Sequence, residues 1–143
     1  MKLKELLLML TGDCIHPELM RVLSLLGHGD KVLIADGNYP LASKTGEAEK
    51  VWLGLKPGLP STIDVLETLQ SIINIEKAEV MDPGDGSSPK IFDEFQKRLG
   101  NMELCKLKRF PFYDACCEPS LRLAISTGEK RTFANILITV GVA

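Results

Sequence analysis

The sequence predicts an α/β fold: a single layered domain over residues 1–143, with one sheet flanked by helices. Three observations predict it. Apolar stripes at helical spacing and short apolar runs interleave along the whole chain, the element order of an α/β protein. A chain of 143 residues is one domain's length and can bury roughly two-thirds of its unfolded surface. No internal repeat or linker-like stretch divides it.

The elements follow in order. Met1–Leu10 reads as a first helix or strand. Its apolar run, Leu6–Leu10, is far short of the roughly 20 residues that cross a membrane. Glu5 and the lack of a small-x-small site also argue against a signal peptide, so a cytoplasmic location with reduced thiols is expected. His16-Pro17-Glu18 starts a helix, since Pro suits the first turn and Glu the helix dipole. Leu19, Val22, Leu23 and Leu26 form its stripe, and Gly27 reads as its C-cap. Lys31–Ala35 is a buried strand ending in the turn residues Asp36–Pro40. Residues 41–60 are irregular, with a possible strand at Val51–Leu55. Ser61 caps a second helix striped by Ile63, Val65, Leu66, Leu69, Ile72 and Ile73. A strand is expected at Ala78–Met81. The loop Asp82–Pro89 lacks the ligand spacing of a calcium site. Ile91, Phe92, Phe95 and Leu99 mark a third helix closed by Gly100. Leu104–Leu107 reads as a strand, Pro111–Cys117 as a short helix, and Arg122–Ser126 and Ile136–Val140 as two last strands.

Composition excludes several functions. Net charge is −2 with both signs mixed along the chain, so no basic stripe awaits a nucleic acid. The four cysteines show no C-x-x-C or zinc-ribbon spacing. Cys14, His16 and His28 flank opposite ends of the first helix, which argues against a metal site and for free thiols.

Four places carry polar or aromatic residues that scaffolding alone does not require. His28 stands between Gly27 and Gly29, just before a buried strand. Its imidazole can shuttle protons near neutral pH, although a surface turn would also use such residues. Asp36 ends the following strand, where open α/β sheets bind ligands, or it merely forms the turn. Strand rise separates it from His28 by over ~20 Å, so a shared site needs a folded-back loop or a second subunit. In Arg109-Phe-Pro-Phe-Tyr113 the phenol can donate a proton and the rings can cover a sugar, or they fill core. Asn135, before the last strand, can bind a hydroxyl as donor and acceptor, or cap a turn.

Taken in order, the motifs His16-Pro-Glu-Leu, Gly27-His-Gly-Asp30, Ala35-Asp-Gly-Asn-Tyr-Pro40, Arg109-Phe-Pro-Phe-Tyr-Asp114, Thr127-Gly-Glu129 and Phe133-Ala-Asn-Ile-Leu137 resemble the ribose pyranase / fucose mutarotase (RbsD/FucU) family. The resemblance spans nearly the whole chain and implies a mixed sheet flanked by helices. It implies a cofactor-free, metal-free isomerase that interconverts anomers or ring forms of a free monosaccharide. It assigns proton transfer to His28 and a second acid/base role to Tyr113. It places Asp36, Glu76, Arg109, Phe133 and Asn135 at the substrate. It also implies a ring-shaped homo-oligomer (pentamer, octamer or decamer) with sites at subunit boundaries, which would answer the distance objection. Gly29, Asn38 and Arg109–Tyr113 resemble the fucose branch, so L-fucose is the expected sugar, with D-ribose pyranase-type activity as the alternative.

One departure is Phe133, where the family pattern has Tyr. Losing a sugar-bonding hydroxyl costs on the order of 0.5–1.5 kcal/mol. A weakened sugar-binding module on the same scaffold is therefore a second alternative. Thiol or metal chemistry at Cys116-Cys117 or Cys14/His16/His28 is a third.

Overall fold

A computed structural model describes residues 10–143. The element expected at Met1–Leu10 lies, apart from Leu10, outside the described residues. The first described helix, α1 (Pro17–Leu23), starts where His16 accepts the Leu19 N–H at Nδ1, 3.3 Å away. It ends earlier than its apolar stripe suggests. Ser24 caps it, its hydroxyl donating to the Arg21 carbonyl at 2.7 Å, and tighter turns carry Leu25 and Leu26. Gly27 is therefore not the C-cap. Its N–H donates instead to the Asp30 carboxylate at 2.8 Å.

Strand β1 (Lys31–Ala35) is buried from Val32 onward, as a two-sided apolar strand should be. Strand β2 (Glu49–Trp52) sits earlier than Val51–Leu55 because its register on β5 (Leu121–Ser126) runs from Glu49 opposite Leu123 to Trp52 opposite Ser126. Helix α2 (Thr62–Gln70) carries a reciprocal cap, with Ser61 accepting the Asp64 N–H and Asp64 accepting the Ser61 N–H. Strand β3 (Ile75–Met81) begins three residues before the expected Ala78, because its first half is mostly polar and gives no apolar signal. Helix α3 (Lys90–Leu99), β4 (Leu104–Leu107), α4 (Arg109–Cys116) and β6 (Ile136–Val140) complete the order.

The six strands form one mixed sheet in the order β2-β5-β1-β6-β3-β4. Strand β6 runs antiparallel to both neighbours, β1 and β3, whereas the other pairs are parallel. The C-terminal ends of five strands and the start of β6 therefore meet at one edge of the sheet. One face packs Val32, Ile34, Leu123, Ile125, Ile136 and Ile138 against α1, α2 and α3. The other packs Leu33, Ala35, Leu121, Ala124 and Leu137 against Phe112 and Cys116 of α4 and against Tyr39 and Leu41 of the loop after β1. No described helix is long and apolar enough to cross a membrane. All four cysteines are free, and burial pushes the Cys116 thiol up to about 12, which opposes thiolate chemistry there.

The loop after β5 admits no side chain at Gly128. A Cβ there would stand 2.5 Å from the Leu59 carbonyl oxygen and 2.6 Å from that of Lys56. Gly128→Ala should therefore lower stability in urea unfolding by about 1–3 kcal/mol. Gly12→Ala, where nothing lies within 4 Å, should leave the midpoint unchanged.

Candidate active site

Asp36 sits at the C-terminal end of β1 and is 2% exposed. Its Oδ1 accepts the N–H groups of Asn38 and Tyr39 at 2.9 and 3.0 Å, which closes the turn. Its Oδ2 accepts the Ala134 N–H at 3.0 Å. In return, Asn135 Oδ1 accepts the Asp36 N–H at 2.7 Å. Burial raises the Asp36 carboxyl above its ordinary value, and the three N–H donors oppose the shift. Phe133 lies in the left-handed region at φ 56°, a strained conformation for a bulky residue, immediately before the two residues that meet Asp36.

A second carboxylate supports the same loop. Glu129 is 5% exposed and accepts from the Thr62 N–H and hydroxyl and from the Arg131 backbone and side chain. Its own carbonyl accepts the Gly37 N–H at 2.9 Å. Burial pulls its carboxyl upward, but the bonds from Arg131 and Thr62 outweigh that and hold it below the ordinary value.

These bonds frame a cavity of about 240 Å³, lined by Asp36, Tyr39, Arg109, Tyr113, Phe133 and Asn135 among others. The Tyr113 ring packs edge-on against Tyr39 at 5.6 Å, and Lys44 Nζ lies 5.8 Å from its centre. Tyr39 donates its hydroxyl to the Lys44 carbonyl at 2.8 Å, and burial pushes its phenol up, so it serves as a wall and not an acid. Arg109 is exposed and forms no ion pair among the described residues. The groups free to meet a ligand include the Asn135 amide nitrogen, the Tyr113 phenol, the Arg109 guanidinium and the side chains of Asn38 and Thr132. Asp36 shapes the cavity through these bonds, and its Oδ2, which accepts only the Ala134 N–H, keeps acceptor capacity toward it.

His28 lies at the opposite edge of the sheet, before β1. Its Nε2 stands 3.1 and 3.0 Å from the two carboxylate oxygens of Glu76, at the start of β3. The Gly29 N–H donates to the Val140 carbonyl and fixes the loop to the end of β6. A second cavity of about 520 Å³ opens beside it, lined by Leu23, Leu26, His28, Ile73, Asn74 and Val140 among others. The sequence-derived residues thus fall into two groups. Asp36, Arg109, Tyr113, Phe133 and Asn135 converge, and His28 and Glu76 converge elsewhere. Strand β1 (Lys31–Ala35) lies between the groups, and at ~3.3 Å per residue its rise alone holds them roughly 15 Å or more apart within one chain.

Tyr39 and Glu129 were not singled out from the sequence as site residues. The Asp36-x-Asn38 pattern signals an Asp-initiated turn, but nothing local shows that Tyr39 would wall a cavity. Glu129 gains its partners from residues 62 and 131, and the former is remote in sequence. Of the residues of the disfavoured metal alternative, His16 uses Nδ1 to cap α1. Among the described residues no three potential ligands cluster.

Residues 9–143 match the RbsD / FucU transport protein family. The chain is similar to the D-ribose pyranase of Lactobacillus gasseri, 29% identical over 128 residues that cover 89% of this chain and 93% of the relative. Its fold is similar to Bacillus subtilis RbsD complexed with D-ribose, with a TM-score of 0.82 and 26% identity, covering 95% of this chain and 99% of that one. It is also similar to FucU from Bifidobacterium longum, with a TM-score of 0.75 and 30% identity, covering 90% and 95% of the two chains.

Glu129→Gln tests the support of the cavity loop. The wild-type carboxyl is depressed on folding, so its stabilising contribution is present above the unfolded Glu value of about 4.3 and is lost as pH falls through the folded value. At pH 7 the variant should lose about 1–3 kcal/mol in urea unfolding. The two stability curves should converge as the pH is lowered.

Proposed function

The chain belongs to the RbsD / FucU family, and on that premise we propose that it is a cofactor-free isomerase that opens and recloses the ring of a free aldose. The observation that carries the proposal is the cavity at the strand ends, which offers an amide, a phenol and a guanidinium in a chain matched to this family over residues 9–143. In the proposed reaction His28 removes the anomeric hydroxyl proton. The bond between the anomeric carbon and the ring oxygen breaks, and the ring oxygen takes a proton from Tyr113. Rotation and closure on the other carbonyl face return both protons, so no redox partner, metal or activated group is consumed. Asn135 and Arg109 orient hydroxyls, and the Tyr113 and Phe133 rings cover the C–H face of the sugar.

The proposed site is completed by a second copy of the chain, whose His28 edge closes over the Tyr113 cavity. The separation of the two groups within one chain supports this arrangement, and a ring-shaped homo-oligomer would supply it. For the substrate, the D-ribose pyranase relatives support D-ribose ahead of the L-fucose expected from the motif details. L-Fucose remains the second reading, because Arg109 and Tyr113 both line the cavity as the fucose-type motif implies.

Saturation-transfer NMR on D-ribose and L-fucose tests the proposal. The protein should accelerate exchange between sugar forms, fastest with D-ribose. His28→Ala and Tyr113→Phe should each reduce the acceleration by about 10²–10⁴-fold. Unchanged exchange in both variants would remove the assigned roles. Saturable binding without acceleration would favour the sugar-binding module.

A further inference from the structure

We infer that Glu76 is a positioning residue for His28 and not a sugar ligand, holding the imidazole through Nε2–H so that Nδ1 is the nitrogen that exchanges protons with the sugar.

Both Glu76 oxygens lie within 3.1 Å of His28 Nε2, and among the described residues no hydrogen bond reaches Nδ1. A carboxylate only accepts, so Nε2 must carry the proton in the neutral ring, and Nδ1 is then left with the lone pair. The pair is half-exposed, with side-chain exposures of 58% and 43%, so as a surface contact it would add little stability. Its backbone setting points to a purpose other than stability.

Glu76 is the extra residue of a β-bulge. Ile75 pairs with Val140 and Lys77 with Thr139, leaving Glu76 without a partner on β6. Without the bulge, Ile75 would share a face with Lys77 and Glu79, two and four residues on. Instead Ile75 packs against the helix-covered core with Ala78 and Val80. The bulge thus resets the alternation and frees Glu76 to leave the sheet toward His28, the re-aiming that bulges provide. Opposite it stands Gly141, where a Cβ would come within 3.3 Å of the Glu76 Cβ. From the other side, His28 is set by Asp30, whose carboxylate accepts the Gly27 N–H at 2.8 Å, and by the Gly29 N–H on Val140. Two independent backbone devices therefore converge on one side-chain pair.

The kinetic part of this inference rests on the isomerase reading, and the spectroscopic part does not. Nitrogen-15 NMR of the neutral His28 ring should show the single Nε2–H form in the wild type and a mixture of forms in Glu76→Ala, with His16 as the internal reference. On the sugar that the wild type turns over, Glu76→Gln and Glu76→Ala should lower kcat by roughly tenfold or more, as loss of an orienting carboxylate does, with KM within about twofold. A raised KM with kcat unchanged would make Glu76 a sugar ligand and overturn the inference. Identical ring forms in wild type and Glu76→Ala would overturn it too. A wild type that turns over neither sugar would remove the isomerase reading, and the ring-form comparison would still decide the role of Glu76.

Discussion

The Asp36 carboxylate is the interaction on which the cavity depends. Three backbone N–H groups from two separate stretches of chain, 38–39 and 134, converge on its two oxygens. Burying a charged carboxylate is costly unless it is well bonded, and here each oxygen is engaged. The Asn135 amide oxygen reciprocates by accepting the Asp36 N–H, so this cavity-lining side chain is held by the same clasp. Thr127 adds a bond from its hydroxyl to the Ala35 carbonyl at 2.7 Å, one residue before Asp36. In this arrangement the acidic residue that ends β1 holds together the loops that wall the cavity.

The reversal of β6 gives the clasp its reach. Because β6 is antiparallel between β1 and β3, its first residues arrive at the edge where β1 ends. The same reversal takes its last residues to the other edge, where Val140 fixes the His28 loop. One strand thus braces both groups of polar residues and keeps them apart. In the proposed mechanism that separation is resolved by neighbouring copies, each lending its histidine edge to the cavity of the next.

Much of this was legible in the sequence, for physical reasons that differ by element. Lys31–Ala35, Leu104–Leu107 and Ile136–Val140 were readable to the residue because short apolar runs bounded by turn or polar residues signal strands directly. The placement of His28 and Asp36 at opposite ends of one strand was legible too, since Lys31–Ala35 separates them. The end of α1 was not, because Ser24 intercepts the Arg21 carbonyl while the apolar stripe continues to Leu26. The early start of β3 was hidden by Glu76 and Lys77, and a bulge leaves no trace in periodicity. Glu76 was reachable through family resemblance alone, with a substrate-binding role. Its contact with His28 spans 48 positions and depends on that bulge. Tyr39 read as a turn residue, and its function as a cavity wall emerges only when α4 packs across the sheet.

In the proposed mechanism a histidine and a tyrosine from different copies share one sugar. Mixing His28→Ala protein with Tyr113→Phe protein, under conditions that let subunits exchange, tests it most directly. Each variant alone should be nearly inactive. An equal mixture should recover about a quarter of wild-type exchange activity, because random assembly restores an intact pair at one boundary in four. A mixture no more active than its parts, with subunit exchange verified, would contradict the shared site.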